Sequence, residues 1–403
     1  MIDFPYLSSI RRRNHKKIIM LVVDGLGGMR HPDFDKTELE VAALPTLDSL
    51  SSRSSTGLTI PVMPGITPGS GPGHMALFGY NPLKYFLGRG VLEGIGIGAD
   101  ISDGDICARG NFCELDDLGN IVDRRAGRIQ SNESVKLVNL INEIELTNCD
   151  FEVYPVMDYR FELVLRGSGL SSEITDTDPQ ITGQPPGVCL PAIPAAQRTA
   201  DLVNEFVHGA RKLLKRSGSP GNGVLLRGFS KLPDIPSFAE SYALRPAAIA
   251  AYPMYRGLAE LVGMEVLKCG TSFESELEVL EGAFNGEHDF FFLHYKPADS
   301  AGEDGDFDNK VRRLEEFDNY LDRIQALDPD VLVVCGDHST PSFLAAHSWH
   351  PVPLLIHSQW THGEGVPSFS ETSFRHGGLG TIPATNIMLL ALAHSGKLIK
   401  YGP

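Results

Sequence analysis

Residues 331–347 read VLVVCGDHSTPSFLAAH. Four apolar, mostly β-branched residues run into Gly336, and two metal-ligand types, Asp337 and His338, follow at once. Short apolar runs closed by glycine suit strands covered on both faces, and open α/β sheets bind their ligands just beyond the carboxyl ends of such strands. The plain alternative is a solvated turn in which Asp and Ser bond their own backbone.

Two other stretches repeat the pattern. Ile18 to Val23 (IIMLVV) runs into Asp24 and a glycine-rich turn, and Asp289 to Tyr295 (DFFFLHY) runs into Lys296, Asp299 and Glu303. In a parallel sheet the carboxyl ends of these strands share one edge, so Asp24, Asp299, Asp337, His338 and His347 can converge there. Mixed Asp and His ligation suits Mn²⁺ or Zn²⁺ better than Ca²⁺, and the lack of Cys ligands argues against a structural zinc site. Two such ions would clamp the attacking and leaving oxygens of a phosphoryl transfer. A nucleophile is available in TPGSGPGHMALFGY, residues 67–80, where glycines flank Ser70. Glycine lets a backbone approach a phosphate closely, and amides at a helix N-terminus favour its charge. A lone Gly-Ser-Gly is also common in flexible loops.

The 403 residues exceed the usual size of one hydrophobic core, so more than one domain is expected. With 35 Lys and Arg against 51 Asp and Glu, the net charge is −16, a poor field for nucleic acid or anionic membranes. Arg11, Arg12, Arg13, Lys16 and Lys17 precede Ile18 in the manner of a secretion signal, but the apolar run is too short and Asp24-Gly25 ends it. No stretch reaches the roughly 18 apolar residues of a membrane helix. Six scattered cysteines without a CxxC pair read as reduced thiols of a cytoplasmic protein.

Along the chain, Thr46 to Ser52 reads as helix, Gly57 to Gly73 as loop and His74 to Phe78 as helix. From about residue 102 the texture changes to short strands and frequent charges, including Arg109, Arg124, Arg125, Arg128 and Arg160, whose guanidinium forks suit carboxylate or phosphate. Residues 102–236 therefore read as an α+β domain inserted into a core formed by 1–101 and 237–403. Strand and helix then alternate to the end, and Val311, Leu314, Phe317 and Leu321 form a core-facing stripe on a helix over 309–327. His294 reads as alternating to the far face of its strand, and His350, His357, His362 and His376 as surface or packing residues.

Together VVDGLGG, PGSGPGH, GRGVLEGIGIG, IVDRRAGRI, ITDTDP, HYKPADSAG, GDHSTP, HSWHPVPLLI and GGLG resemble, in order and over nearly the whole chain, the archaeal-type cofactor-independent phosphoglycerate mutases of the alkaline phosphatase superfamily. The resemblance implies an α/β fold with an alkaline-phosphatase-like, mostly parallel sheet flanked by helices, and a smaller inserted α+β domain that closes over substrate. It implies Ser70 as a transiently phosphorylated nucleophile, with Asp24, Ser70, Asp337 and His338 on one metal and Asp299, Glu303 and His347 on the other. It implies substrate contacts at His74, Arg109, Asn111, Arg124, Arg125, Arg128 and Lys296. The cofactors implied are two divalent ions, Mn²⁺ first, with Zn²⁺, Mg²⁺ or Co²⁺ as alternatives. The substrate is a small phosphorylated metabolite, 3- or 2-phosphoglycerate; no nucleic acid or membrane partner is expected, and oligomeric state is not legible. Glu303 stands where the family has His, Gly71 where it has Asp, and Tyr159 where it has His. These departures leave open a related phosphotransferase of the homoserine-kinase kind, a phosphomonoesterase, or a non-catalytic phospho-metabolite-binding relative.

Overall fold

Ile18–Val23, Phe290–Tyr295 and Val331–Cys335 are buried at every position, which is why their sequences are apolar on both alternating faces. They lie side by side in the computed structural model, which describes residues 1–361, 363 and 366–403; His362 falls outside the described residues. Ile18–Val23 is central and pairs in parallel with both of the others. The three acid-bearing strand ends therefore share one edge of one sheet.

The chain divides into two compact units, Met1–Phe86 with Ile235–Pro403, and Leu87–Asp234. In the first unit, eight strands among the described residues form a sheet ordered Gly380–Pro383, Ser55–Ile60, Val352–Ser358, Val331–Cys335, Ile18–Val23, Phe290–Tyr295, Pro246–Ile249, Glu265–Val266. Only Val352–Ser358 runs antiparallel to its neighbours, so the expected mostly parallel sheet is present. On one face Leu47, Leu277, Leu314 and Phe317, from helices Pro45–Ser51, Phe273–Ala283 and Phe307–Ala326, pack against Ile19, Leu21, Leu293 and Leu332. Phe78 meets Phe292 edge-on at 5.1 Å on the other.

Two readings between residues 57 and 74 are corrected. Ser55–Ile60 is a strand; its β-branched Thr56, Thr59 and Ile60 outweigh Gly57, whose missing Cβ would lie 2.5 Å from the Gly380 carbonyl. The helix starts at Ser70, not His74. Pro72 is tolerated because it lies in the first turn, and Gly73 lets the helix approach the Asp337 carbonyl, which a Cβ would meet at 2.4 Å.

The basic N-terminal segment fastens the carboxyl ends of other elements. Arg11 Nη1 donates to the Ser241 carbonyl at 2.6 Å, Arg12 Nε to Gly396 at 2.6 Å, and Lys17 Nζ to Gly286 and His288 at 3.0 and 2.8 Å. Cations there complement the exposed carbonyls of helix ends. No helix among the described residues is long and apolar enough to cross a membrane.

The second unit holds an antiparallel sheet in which Ile106–Leu115 lies between Arg160–Arg166 and Gly223–Ser230. Ile106, Phe112, Phe161 and Leu163 face Leu137, Val138, Val203 and Phe206 of helices Ser131–Ile141 and Gln197–Leu214. On the opposite face Val91 packs with Cys107 and Val164, and a Cβ at Gly90 would meet the Cys107 carbonyl at 2.3 Å. Helix Arg89–Gly96 thus belongs with this unit, whose start at Leu87 precedes the residue 102 expected from texture.

Asp318, on the long helix of the first unit, accepts from the Thr46 and Leu47 amides at 3.0 and 2.7 Å and so caps helix Pro45–Ser51. Asp318→Ala leaves those donors without their acceptor and is expected to lower unfolding stability by about 1–3 kcal/mol in urea denaturation.

Candidate active site

Asp24, Asp299, Asp337, His338 and His74 are fully buried around the strand ends of the first unit. Asp24 Oδ1 lies 3.3 Å from His338 Nε2, and Asp337 Oδ2 lies 3.1 Å from the same nitrogen. Ser70 Oγ is 3.2 Å from it, at the N-terminus of its helix. Asp24, Asp337 and His338 offer ligand atoms within 4.8 Å of one another, as do Asp299, His338 and His347. His347 Nδ1 donates to the Pro68 carbonyl at 3.0 Å, leaving Nε2 at 3.7 Å from Asp299 Oδ1. Glu303 Oε1 is 3.4 Å from that Nε2, but its side chain is 52 % exposed.

Lys296 Nζ sits between the acids, 3.1 Å from Asp24 Oδ2 and 2.5 Å from Asp299 Oδ2. Burial opposes its charge, yet Asp24 and Asp299 raise its pKa overall. His74, read from sequence as a substrate contact, has no exposed face: Nδ1 donates to the Ser70 carbonyl at 2.8 Å and lies 3.2 Å from Asp337 Oδ2. It is packed behind the acids, where it can position them.

Three contributors escaped the sequence reading. The Tyr255 hydroxyl donates to Asp24 Oδ2. His294 stacks on Tyr255 at 3.5 Å, with Nε2 3.2 Å from the same Asp24 oxygen; its strand is covered on both faces, so the far-face alternative still led into the site. Thr340 Oγ1 donates to Asp299 Oδ1 at 2.6 Å and lies 2.9 Å from His338 Nδ1. Only the position of Thr340 two residues after His338 could have singled any of them out.

The charges sort the acids. Burial raises Asp24, but His294, the His338 charge and Lys296 outweigh it and hold the carboxyl well below its usual range. Burial and then the Asp24 charge push Asp337 up to about 8. Burial lowers His338, and takes His74 and His294 down to about 4, so the imidazoles are neutral and have lone pairs to offer. Asp24 Oδ1 and Asp337 Oδ2 accept no hydrogen bond among the described residues although both are buried. Buried carboxylate oxygens without donors, facing a neutral imidazole, fit a divalent cation.

In the second unit, Arg109 and Asn111 alternate onto one face of their strand. Arg227 and Glu162 stand opposite Arg109, and Arg160 opposite Asn111. Arg109 Nε, Arg160 Nε, Arg227 Nε and Asn111 Oδ1 are buried and make no hydrogen bond among the described residues. Arg124 is committed to Asp178 through two bonds of 3.0 and 2.7 Å. Arg125 and Arg128 are exposed beside a turn in which Ala126, Gly127 and Arg128 all have positive φ. Elsewhere, His357 bonds Ser54, His350 bonds Ser348, and His376 is exposed.

Mostly parallel α/β proteins that gather acids and imidazoles at strand ends form the class to which this arrangement belongs. The structure is similar to that of a Pyrococcus horikoshii protein, 26 % identical with a TM-score of 0.82 over 97 % of this chain and all of that one. It is also similar to a cofactor-independent phosphoglycerate mutase from Thermoplasma acidophilum, 30 % identical with a TM-score of 0.74 over 94 % of this chain and all of that one. The family model described as 2,3-bisphosphoglycerate-independent phosphoglycerate mutase matches residues 51–218. Relatives named as probable enzymes of that kind are 47 % identical in Thermus thermophilus, over 99 % of each chain, and 48 % in Thermotoga neapolitana, over 98 % of each. The chain belongs to the 2,3-bisphosphoglycerate-independent phosphoglycerate mutase family.

The elevated Asp337 pKa has a stability consequence in metal-free protein. A carboxyl whose pKa is raised from 3.8 to about 8 binds its proton more tightly when folded, so its contribution is full below pH 4 and is lost as pH rises through 8. Asp337→Asn does not titrate. Between pH 6.5 and 8 its stability relative to wild type is expected to rise by about 1–2 kcal/mol, read from urea denaturation with chelator at both pH values.

Proposed function

We propose that this enzyme interconverts 3-phosphoglycerate and 2-phosphoglycerate without 2,3-bisphosphoglycerate, through a phosphoserine at Ser70. The observation that carries the proposal is Ser70 Oγ at a helix N-terminus, 3.2 Å from His338 Nε2 and beside the buried Asp24–Asp337 pair. The names of the full-length relatives support the same substrate. Divalent ions held by Asp24, Ser70, Asp337 and His338 and by Asp299, His347 and Glu303 would neutralise phosphoryl oxygens and favour the Ser70 alkoxide; Mn²⁺ is our first candidate.

Ser70 Oγ bonds to phosphorus as the bond from phosphorus to one glycerate hydroxyl oxygen breaks, and that oxygen takes a proton. The second hydroxyl then loses its proton and attacks the phosphoserine, which releases Ser70. Helix N-terminal amides stabilise charge on the transferring group, and Lys296 adds a cation beside Asp24 and Asp299. The second unit offers buried Arg160 Nε, Arg227 Nε and Asn111 Oδ1 atoms without a hydrogen bond among the described residues, which suit a carboxylate and hydroxyls, while Arg109 Nε faces Glu93 Oε2 at 3.3 Å. Residues 87–234 would accordingly be the substrate-binding domain. Free, unpaired cysteines support a reducing, cytoplasmic setting.

Phosphorus NMR of Mn²⁺-loaded enzyme with 3-phosphoglycerate should show 2-phosphoglycerate without added bisphosphoglycerate; free phosphate in its place would make the protein a hydrolase, and no turnover would end the mutase reading. Ser70→Ala is expected to lower kcat on the order of 10⁴-fold or more, as loss of a covalent nucleophile does. Because Glu303 is half exposed, Glu303→Ala should weaken the Asp299–His347 ion less than about tenfold in calorimetric titration, and His347→Ala by more.

A further inference from the structure

Thr340 belongs to neither proposed ligand set, yet its hydroxyl touches both. Its single proton is donated to Asp299 Oδ1 at 2.6 Å, and the carboxylate only accepts. The 2.9 Å contact between Thr340 Oγ1 and His338 Nδ1 therefore has to be donated by the imidazole. With its proton on Nδ1, His338 presents the Nε2 lone pair, 3.1 Å from Asp337 Oδ2, 3.3 Å from Asp24 Oδ1 and 3.2 Å from Ser70 Oγ.

We propose that Thr340 is a positioning residue that fixes the ligating nitrogen of His338 and ties it to Asp299, so that the two metal sites depend on one hydroxyl. The inference rests on the two-ion reading above. Its geometry is held from several sides. The Thr340 amide donates to the Gly27 carbonyl at 3.0 Å, and the fully buried Lys310 Nζ bonds the Thr340 and Gly27 carbonyls at 2.7 and 3.0 Å. The turns that follow Asp24 and His338 are thereby stitched together. Two glycines admit the residue: a Cβ at Gly25 would lie 2.6 Å from Thr340 Oγ1, and one at Gly302 would lie 2.4 Å from its carbonyl oxygen. Gly25, at φ +64°, also adopts a backbone conformation that other residues take only with strain.

Outer hydrogen-bond partners that orient a ligating histidine are typically worth about 10–100-fold in metal affinity. Calorimetric titration of Mn²⁺ into metal-stripped protein tests the coupling. Wild type should take two ions, Thr340→Val should weaken both by about 10–100-fold, and Thr340→Ser, which keeps the hydroxyl, should stay close to wild type. Unchanged affinity in Thr340→Val, weakening at one site alone, or equal weakening in the serine variant overturns the proposal. A wild type that binds no ion overturns the two-ion reading itself, and the coupling with it. Nitrogen-15 NMR of histidine-labelled, metal-free wild type provides a readout that needs no folded valine variant. The ring signal lost in His338→Asn should be that of the Nδ1-protonated tautomer, and an Nε2-protonated ring would overturn the proposal.

Discussion

Asp24, Asp299 and Asp337 are held, fully buried, at the ends of three adjacent parallel strands, and the repulsion among them governs the rest of the site. Asp24 and Asp337 offer oxygens within 4.8 Å of each other, where two charges at an effective dielectric near 20 repel by roughly 3 kcal/mol. The fold meets this repulsion unevenly. Asp24 takes the Tyr255 hydroxyl, His294 and Lys296, and Asp299 takes Thr340 and Lys296. Asp337 receives from the Gly25 amide at 3.3 Å, and burial with the Asp24 charge holds its pKa up at about 8. Asp24 and Asp337 thus each keep an oxygen without a donor among the described residues, beside the His338 imidazole, an arrangement that a cation completes and a further hydrogen bond would spoil.

Such convergence is possible only where backbones come close. The helix carrying Ser70 reaches the Asp337 turn across Gly73, the Asp24 turn reaches Thr340 across Gly25, and helix Pro297–Glu303 reaches Thr340 across Gly302. Each glycine is explained by a specific atom that a Cβ would strike. The same glycines obscure the local structure: SGPGHMAL contains two glycines and a proline, and propensity favours a loop where the close packing of a helix is built.

The strands that bear the acids were legible because they are apolar on both faces, a pattern that little besides a buried parallel strand produces. Asp24, Asp299, Asp337, His338 and His347 followed from the rule that such sheets present ligands at their carboxyl ends. Tyr255, His294 and Thr340 did not follow. Tyr255 lies on a helix whose apolar spacing makes an aromatic look like core, and Phe292 and His294 on one strand alternate onto the same side, where one is core and the other reaches Asp24. What distinguishes them is a partner remote in sequence, and periodicity carries no information about partners. His74, expected at the substrate only by resemblance, lies one helical turn from Ser70, which carries it behind the serine and under Tyr255.

A net charge of −16 sets a last constraint on any anionic substrate, since the overall field repels it. Attraction must come from local cations that acids do not already neutralise. Arg124 fails this test, being paired with Asp178 in two bonds. Arg160 meets it better, with a buried Nε that makes no hydrogen bond among the described residues, whereas Arg109 Nε faces Glu93 Oε2 at 3.3 Å and Arg227 Nε lies 4.0 Å from Asp178 Oδ2. Glu162 also stands opposite Arg109 on the neighbouring strand and would add to that neutralisation if ionised. Burial first, and the nearby Glu93 second, raise its pKa well above the usual range, which weakens its claim on the guanidinium. A buried acid that looks at odds with an anion site thus holds back part of its charge, as Asp337 does in the other unit, where Asp24 is equally buried and the partners that Asp24 collects decide which of the two carboxyls keeps its proton.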